Sequence, residues 1–219
     1  PVEIQLGDTR DTYPVFAGWL PDGSGLLIFQ MSRDCRRVDI HLADPASGRT
    51  RHLFTEEGKT FVRIHHDIYY GRKLGLTMTP DGQSLLWLSE RDGFKHIYRY
   101  DLQGKLLNQV TSGPWPVDAV TQVIGDQVYF TARSDPERPY DLHLYRAPLT
   151  GGETRQLTAG PGRHTVMIAP GGKVFLDTHS TPDRPPVTEL RTLDGACLND
   201  AVSCADISPD ILRYSVICF

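Results

Sequence analysis

No stretch of this chain approaches the ~20 consecutive apolar residues that a membrane-spanning helix needs, so no membrane segment is expected. Long basic runs are missing as well. With a net charge of −4 and scattered Lys and Arg, the chain lacks the clustered cations that displace counterions from phosphates, which argues against a nucleic-acid partner. Cysteine is sparse. Cys35, Cys197, Cys204 and Cys218 show none of the C-x-x-C pairing of a zinc site, so buried or free thiols are expected. A C-terminal disulfide stays open for an oxidising compartment. Sustained helical periodicity is absent too, because Gly and Pro interrupt every candidate segment. The opening residues, Pro1 to Asp11, have neither the basic start nor the apolar run of a signal peptide. A start at Pro1 without Met reads as an internal fragment or a processed product, and no cofactor or metal is expected.

What the chain does have is punctuation and repetition. Its 20 glycines and 16 prolines fall in short clusters between apolar runs, a pattern of many short strands. Four cores of strand type, "LLIF" from Leu26, "LLWL" from Leu85, "VYFT" from Val128 and "VFLD" from Val174, recur along the sequence. Three of them follow turn signals: Pro21-Asp22-Gly23, Pro80-Asp81-Gly82 and Pro170-Gly171-Gly172. Each core is followed by a polar connection and an alternating strand: "VDIHLAD", "KHIYRYD", "DLHLYRA" and "VTELRTL". In the first three units a Gly-containing turn then leads to a last strand ending near threonine. A period of about 40–50 residues with about four strands per unit is the signature of β-propeller blades, and the longer first interval carries the excess.

The expected fold is therefore all-β, a partial β-propeller of about four blades with four antiparallel strands each. Blades are expected at about 12–56, 76–118, 121–160 and 164–195, with an inserted loop at 57–75 and a divergent segment at 196–219. Core strands that are apolar on both faces fit sheets sandwiched between neighbours. A lone blade cannot bury both faces, so several must stack. A β-sandwich shares the short strands but does not explain the repeated order of the units. An arc of four blades leaves two open sheet faces, and such faces seek partners. One possibility is a homodimer that closes the ring.

Several clusters invite a chemical reading. "RIHHDIYY" (63–70) is rich in donors, yet His65 and His66 point to opposite sides of an extended chain and would not converge on one ion. Glu56-Glu57 reads as a solvated turn. Trp87, Trp115 and Tyr98 read as packing between blades. Asp92-Gly93 reads as a turn, with Arg91 pairing across to a neighbouring blade.

The stretch "SERDGFKHIYRYD", followed by "GKLLNQVTSGPWPV", resembles the propeller of the dipeptidyl peptidase IV family (S9B, prolyl oligopeptidase clan). "RRVDIHLADPASGRTRHLFTE", "LHLYRAPLTGGETRQLT" and "DTHSTPDRPPVTELRTLDG" are similar to further parts of it, so the likeness runs from about Thr12 to Gly195. The resemblance implies an eight-bladed propeller packed on an α/β-hydrolase domain with a Ser-Asp-His triad, in an enzyme that removes N-terminal dipeptides. It further implies a hydrolase domain of the same parent protein as partner, a peptide substrate reached through that parent, and a periplasmic or extracellular setting. It places the excursion carrying Arg63, His65 and His66 near the substrate cavity. The nucleophile elbow G-x-S-x-G is missing, and Gly23-Ser24-Gly25 has the wrong spacing. No peptidase activity is therefore expected from this chain alone. The family's acidic pair in an Asp-Trp-x-Tyr-Glu-Glu context is missing as well. The alternative to a piece of an exopeptidase is a stand-alone propeller that binds a protein or peptide.

Overall fold

The computed structural model describes residues 1–63 and 75–203, with side chains through residue 198. Among them lie sixteen strands and no helix, hence no helix long and apolar enough to cross a membrane. The strands form four antiparallel sheets of four, each built from consecutive strands. Sheet 1 contains β1 (Thr12–Trp19), β2 (Leu26–Ser32), β3 (Arg37–Ala43) and β4 (Thr50–Glu57). Sheet 2 contains β5 (Leu76–Met78), β6 (Ser84–Ser89), β7 (His96–Asp101) and β8 (Leu106–Gln109). In sheet 3 are β9 (Val117–Ile124), β10 (Gln127–Ala132), β11 (His143–Pro148) and β12 (Arg155–Gln156). Sheet 4 has β13 (Arg163–Ile168), β14 (Val174–Thr181), β15 (Arg184–Thr192) and β16 (Cys197–Ser203). The arrangement is that of a partial β-propeller. The start of the segment set apart at 196–219 pairs with β15 and completes sheet 4.

The cores lie between sheets. Successive side chains of a strand point to opposite faces, so each second strand feeds two cores at once. Trp87 enters the first joint, against Phe29 and Phe54 of sheet 1. Its neighbour Leu86 enters the second, with Val120, Val128 and Phe130 of sheet 3. Tyr129 then faces the third joint, packing with Phe175 of sheet 4. This explains why "LLWL" and "VYFT" are apolar without alternation.

Neighbouring sheets also meet through backbone. A Cβ on Gly104, in the β7–β8 turn, would lie 1.9 Å from the Leu53 carbonyl oxygen of β4. The turn also needs φ = +86°, so glycine is required twice over. The same seat recurs at Gly151 against Gln109 and at Gly195 against Leu157. It recurs once more at Gly48 against Glu3, although Glu3 belongs to none of the sheets. Residues 3–6 thus take the place on sheet 1 that a fourth strand takes on each later sheet. Ile4 and Leu6 cover Leu26, Ile28 and Ala43, and the Gln5 amide donates to the Gly48 carbonyl at 2.8 Å. The far faces are exposed in part, at Phe16 and Trp19 on sheet 1 beside the segment that covers Leu26 and Ile28, and at Met167 and Leu176 on sheet 4.

Candidate functional site: a cavity at the first joint

Glu56 sits in the joint between sheets 1 and 2. Strand β4 runs through Glu57, so its period of two separates the adjacent carboxylates. Glu56 pairs with Val38 and follows Phe54 into the joint, whereas Glu57 pairs with Arg37 on the other face. There Arg37 Nη1 donates to Glu57 Oε1 at 2.8 Å, in the open. The expected solvated turn therefore fails at Glu56, whose side chain is only 7% exposed.

Three donors from sheet 2 converge on it. Trp87 Nε1 donates to Oε2 at 3.2 Å, Ser89 Oγ to Oε1 at 2.5 Å, and Arg91 Nη2 to Oε2 at 2.6 Å. A buried carboxylate needs this degree of pairing. Arg91 also lies over the Tyr98 ring, 4.3 Å from its centroid. Burial works against the Arg91 charge, but Glu56 and Tyr100 outweigh it and raise its pKa. Burial, with a hydrogen bond to Asp92, pushes the Tyr98 phenol up to about 12, so that ring stays neutral. Arg91 thus does pair across to the neighbouring sheet.

Above this clasp opens a cavity of about 390 Å³. Residues 57–63 form one wall, and Ser89 to Lys95 contribute the other. The Gly58 amide donates to the Arg36 carbonyl at 2.9 Å and the Val62 amide to the Cys35 carbonyl at 2.6 Å, which ties the first wall to the β2–β3 turn. Arg63, expected to contact substrate, lines the cavity with its guanidinium 3.5 Å from Glu90 and about half of its side chain exposed. His65 and His66, expected to act with it, lie outside the described residues.

Trp115 stacks on Phe130 and Tyr145, and with Trp87 it belongs to the joints, as expected. Cys35 is half-buried and Cys197 exposed, both free thiols, while Cys204 and Cys218 lie outside the described residues. A repeated polar unit was not anticipated. His96 Nδ1 meets Thr111 Oγ1 at 3.1 Å, and that oxygen accepts the Ile97 amide at 3.0 Å. His143, Thr158 and Leu144 repeat the unit with the same distances and the same fifteen-residue interval. Aligning "KHIYRYD" with "DLHLYRA" would have exposed it.

Among the described residues, one group has donors grouped closely enough to suggest a metal: His164, Asp177 and His179. The arrangement does not suit one. Arg191 Nε lies 3.3 Å from Asp177 Oδ2 and already supplies positive charge there. The two imidazoles lie face to face at 4.9 Å with planes 23° apart. Their in-plane lone pairs run side by side instead of converging.

Four stacked four-stranded sheets, with a polar clasp and a cavity at one joint, define a propeller segment. The chain matches the profile of the dipeptidyl peptidase IV (DPP IV) N-terminal region over residues 1–186, and it belongs to that family. Among solved structures, it is similar to a dipeptidyl peptidase 4 from Porphyromonas gingivalis, with a TM-score of 0.70 at 22% identity. That match covers 89% of this chain and 26% of the other. It is also similar to a putative dipeptidyl aminopeptidase IV from Bacteroides ovatus, with a TM-score of 0.73 at 20% identity, covering 91% of this chain and 31% of that one. At such identities the likeness speaks for the fold. The chain spans less than a third of either structure.

Proposed function

We propose that this chain is the non-catalytic propeller portion of a dipeptidyl-peptidase-IV-like serine exopeptidase. Residues 1–195 make up the propeller unit, whose last sheet is completed by β16 at the start of the divergent segment 196–219, and the hydrolase domain belongs to the same parent protein outside this chain. The propeller portion gates and shapes the cavity through which a peptide reaches that domain. The observation that carries this reading is the cavity at the first joint, in a chain of this family, with Arg63 at its edge. A guanidinium suits the carbonyls and carboxylates of a peptide, and Glu90 steadies it. His65 and His66 are proposed to act beside it.

The test is Arg63→Ala in the full-length parent. KM for peptide substrates is expected to rise about tenfold, with kcat held within about twofold, as for a lost binding contact. An unchanged KM would remove Arg63 from the substrate path. A parent that hydrolyses no peptide would end the exopeptidase reading. The stand-alone binding module is favoured by one observation, the exposed apolar far faces of sheets 1 and 4. Ring closure by a second copy has an obstacle, since residues 3–6 already occupy the seat that a neighbour's fourth strand would take. A monomeric mass in light scattering would remove it.

A further inference from the structure

Among the described residues, four cations and three carboxylates line the cavity at the first joint, and most of the negative charge is already engaged. Glu56 is held by its three donors, Arg91 among them, and Glu57 by Arg37 on the other face of sheet 1. Asp92 does not line the cavity and accepts from Gln109 Nε2 at 2.8 Å. That leaves Glu90. Its distance of 3.5 Å from Arg63 Nη1 is longer than the ~2.7–2.9 Å of a charge-assisted hydrogen bond. Lys95 donates from Nζ to the Asp118 carbonyl of β9 at 2.8 Å. Lys59 has no ion-pair or hydrogen-bond partner among the described residues.

Lys59 and Arg63 stand on one wall, whose backbone is tied to the β2–β3 turn through the Gly58 and Val62 amides. Between these ties, the Lys59, Thr60 and Phe61 amides donate to no group among the described residues. Phe61 is exposed on the same wall, and Leu88 of β6 lines the cavity from sheet 2. One positive charge is therefore unmatched, beside open N–H donors and apolar surface, on a backbone fixed in advance. An anion entering between the walls meets cations that need little reordering, and a fixed site loses less freedom on binding. A cationic group would meet Lys59 and Arg63 with Glu90 alone to receive it.

We propose that the first joint selects peptides by a carboxylate: Lys59 takes it as an ion pair, Arg63 adds the N–H groups that Glu90 does not occupy, and Phe61 covers apolar surface beside it. This rests on the reading that a peptide passes the joint, and narrows it to peptides that carry an acidic side chain or present their C-terminal carboxylate. Both sources offer the same two oxygens to the same cations. Glu56 takes no part, since its own oxygens are already bonded.

Three peptides of one length, titrated into the whole chain at low salt and followed by amide NMR, test this. The first carries glutamate and an amidated C-terminus, the second glutamine in its place, and the third that glutamine with a free C-terminus. The glutamate peptide, the free-terminus peptide or both are expected to bind about fivefold tighter than the neutral one, as one partly exposed charged contact allows. The amides of Lys59 to Arg63 should shift as they bind, and the tighter peptide identifies the source of the carboxylate. Lys59→Gln, or about 0.5 M salt, should bring the ratio below about twofold. Equal binding of all three overturns the selection and leaves the peptide reading standing, as does a ratio that Lys59→Gln leaves untouched. If no peptide shifts these amides, the peptide reading of the joint fails and the selection with it.

Discussion

The first and third joints each bury a carboxylate, but they recruit its partners differently. Glu56 belongs to sheet 1, and its three donors belong to sheet 2, so every one of these bonds crosses the joint. Asp177 and Arg191 both belong to sheet 4, and the His143 ring approaches from sheet 3. The first joint is cross-linked by polar bonds. The third is closed by Tyr129, Leu144, Leu157 and Phe175, and its ion pairs lie within one sheet. A buried ion pair that crosses an interface can specify the partner, whereas one kept on a single side cannot.

The largest test of that contrast is Glu56→Ala. Leaving Arg91 and the Trp87 N–H buried without their acceptor is expected to cost about 3–5 kcal/mol, measured by urea unfolding. A loss below about 1 kcal/mol would mean that the crossing bonds are idle and that the two joints are alike. Thr111→Val and Thr158→Val come next. Each leaves a buried amide and an imidazole short of a partner, at about 1–3 kcal/mol. The two values should match, since the unit is repeated; unequal losses would show that its surroundings govern it.

Acidification probes the third joint through His143, and sheet 1 through His41, whose pKa burial also lowers. The folded state holds the His143 proton less readily than the unfolded chain does. The stability it contributes is complete above the ordinary histidine value of 6.5 and falls away as pH drops through the lowered folded value. His143→Gln should flatten that acid limb in a pH series of urea midpoints, and an unaltered limb would place the loss elsewhere. Arg37→Ala should do least. Its own side chain is half exposed and its bond to Glu57 lies in the open, so its removal should change stability by about 1 kcal/mol or less, and still less in high salt.

Much of the fold was legible because the second strands have an unusual character: three or four apolar residues in a row, most of them after a turn signal, recurring along the chain. The first strands were not. β5 has three residues, and β1 contains Pro14 and Gly18 with a bulge between Phe16 and Gly18. At the site, Arg91 was legible as a cross-joint partner. Its acceptor was not, because two adjacent glutamates look like a turn until the strand is known to run through both. The His96 and His143 units were present in the sequence but hidden by sheet 1, where Asp39 and Thr55 form a related bond at 2.5 Å. The Asp177 set depends on the register of three strands, which no local pattern reveals.

The glycine seats have a consequence for how such a molecule changes over time. Where Gly48, Gly104, Gly151 and Gly195 rest on a neighbour's carbonyl, the spacing between sheets is gauged by main chain, which substitution of other residues leaves intact. The side chains between the seats are then free to drift. One joint has settled on a glutamate held from across, another on stacked aromatics, a third on a self-contained ionic cluster, and a glycine seat recurs at all three. Chemistry can be rewritten at one joint without retuning the next.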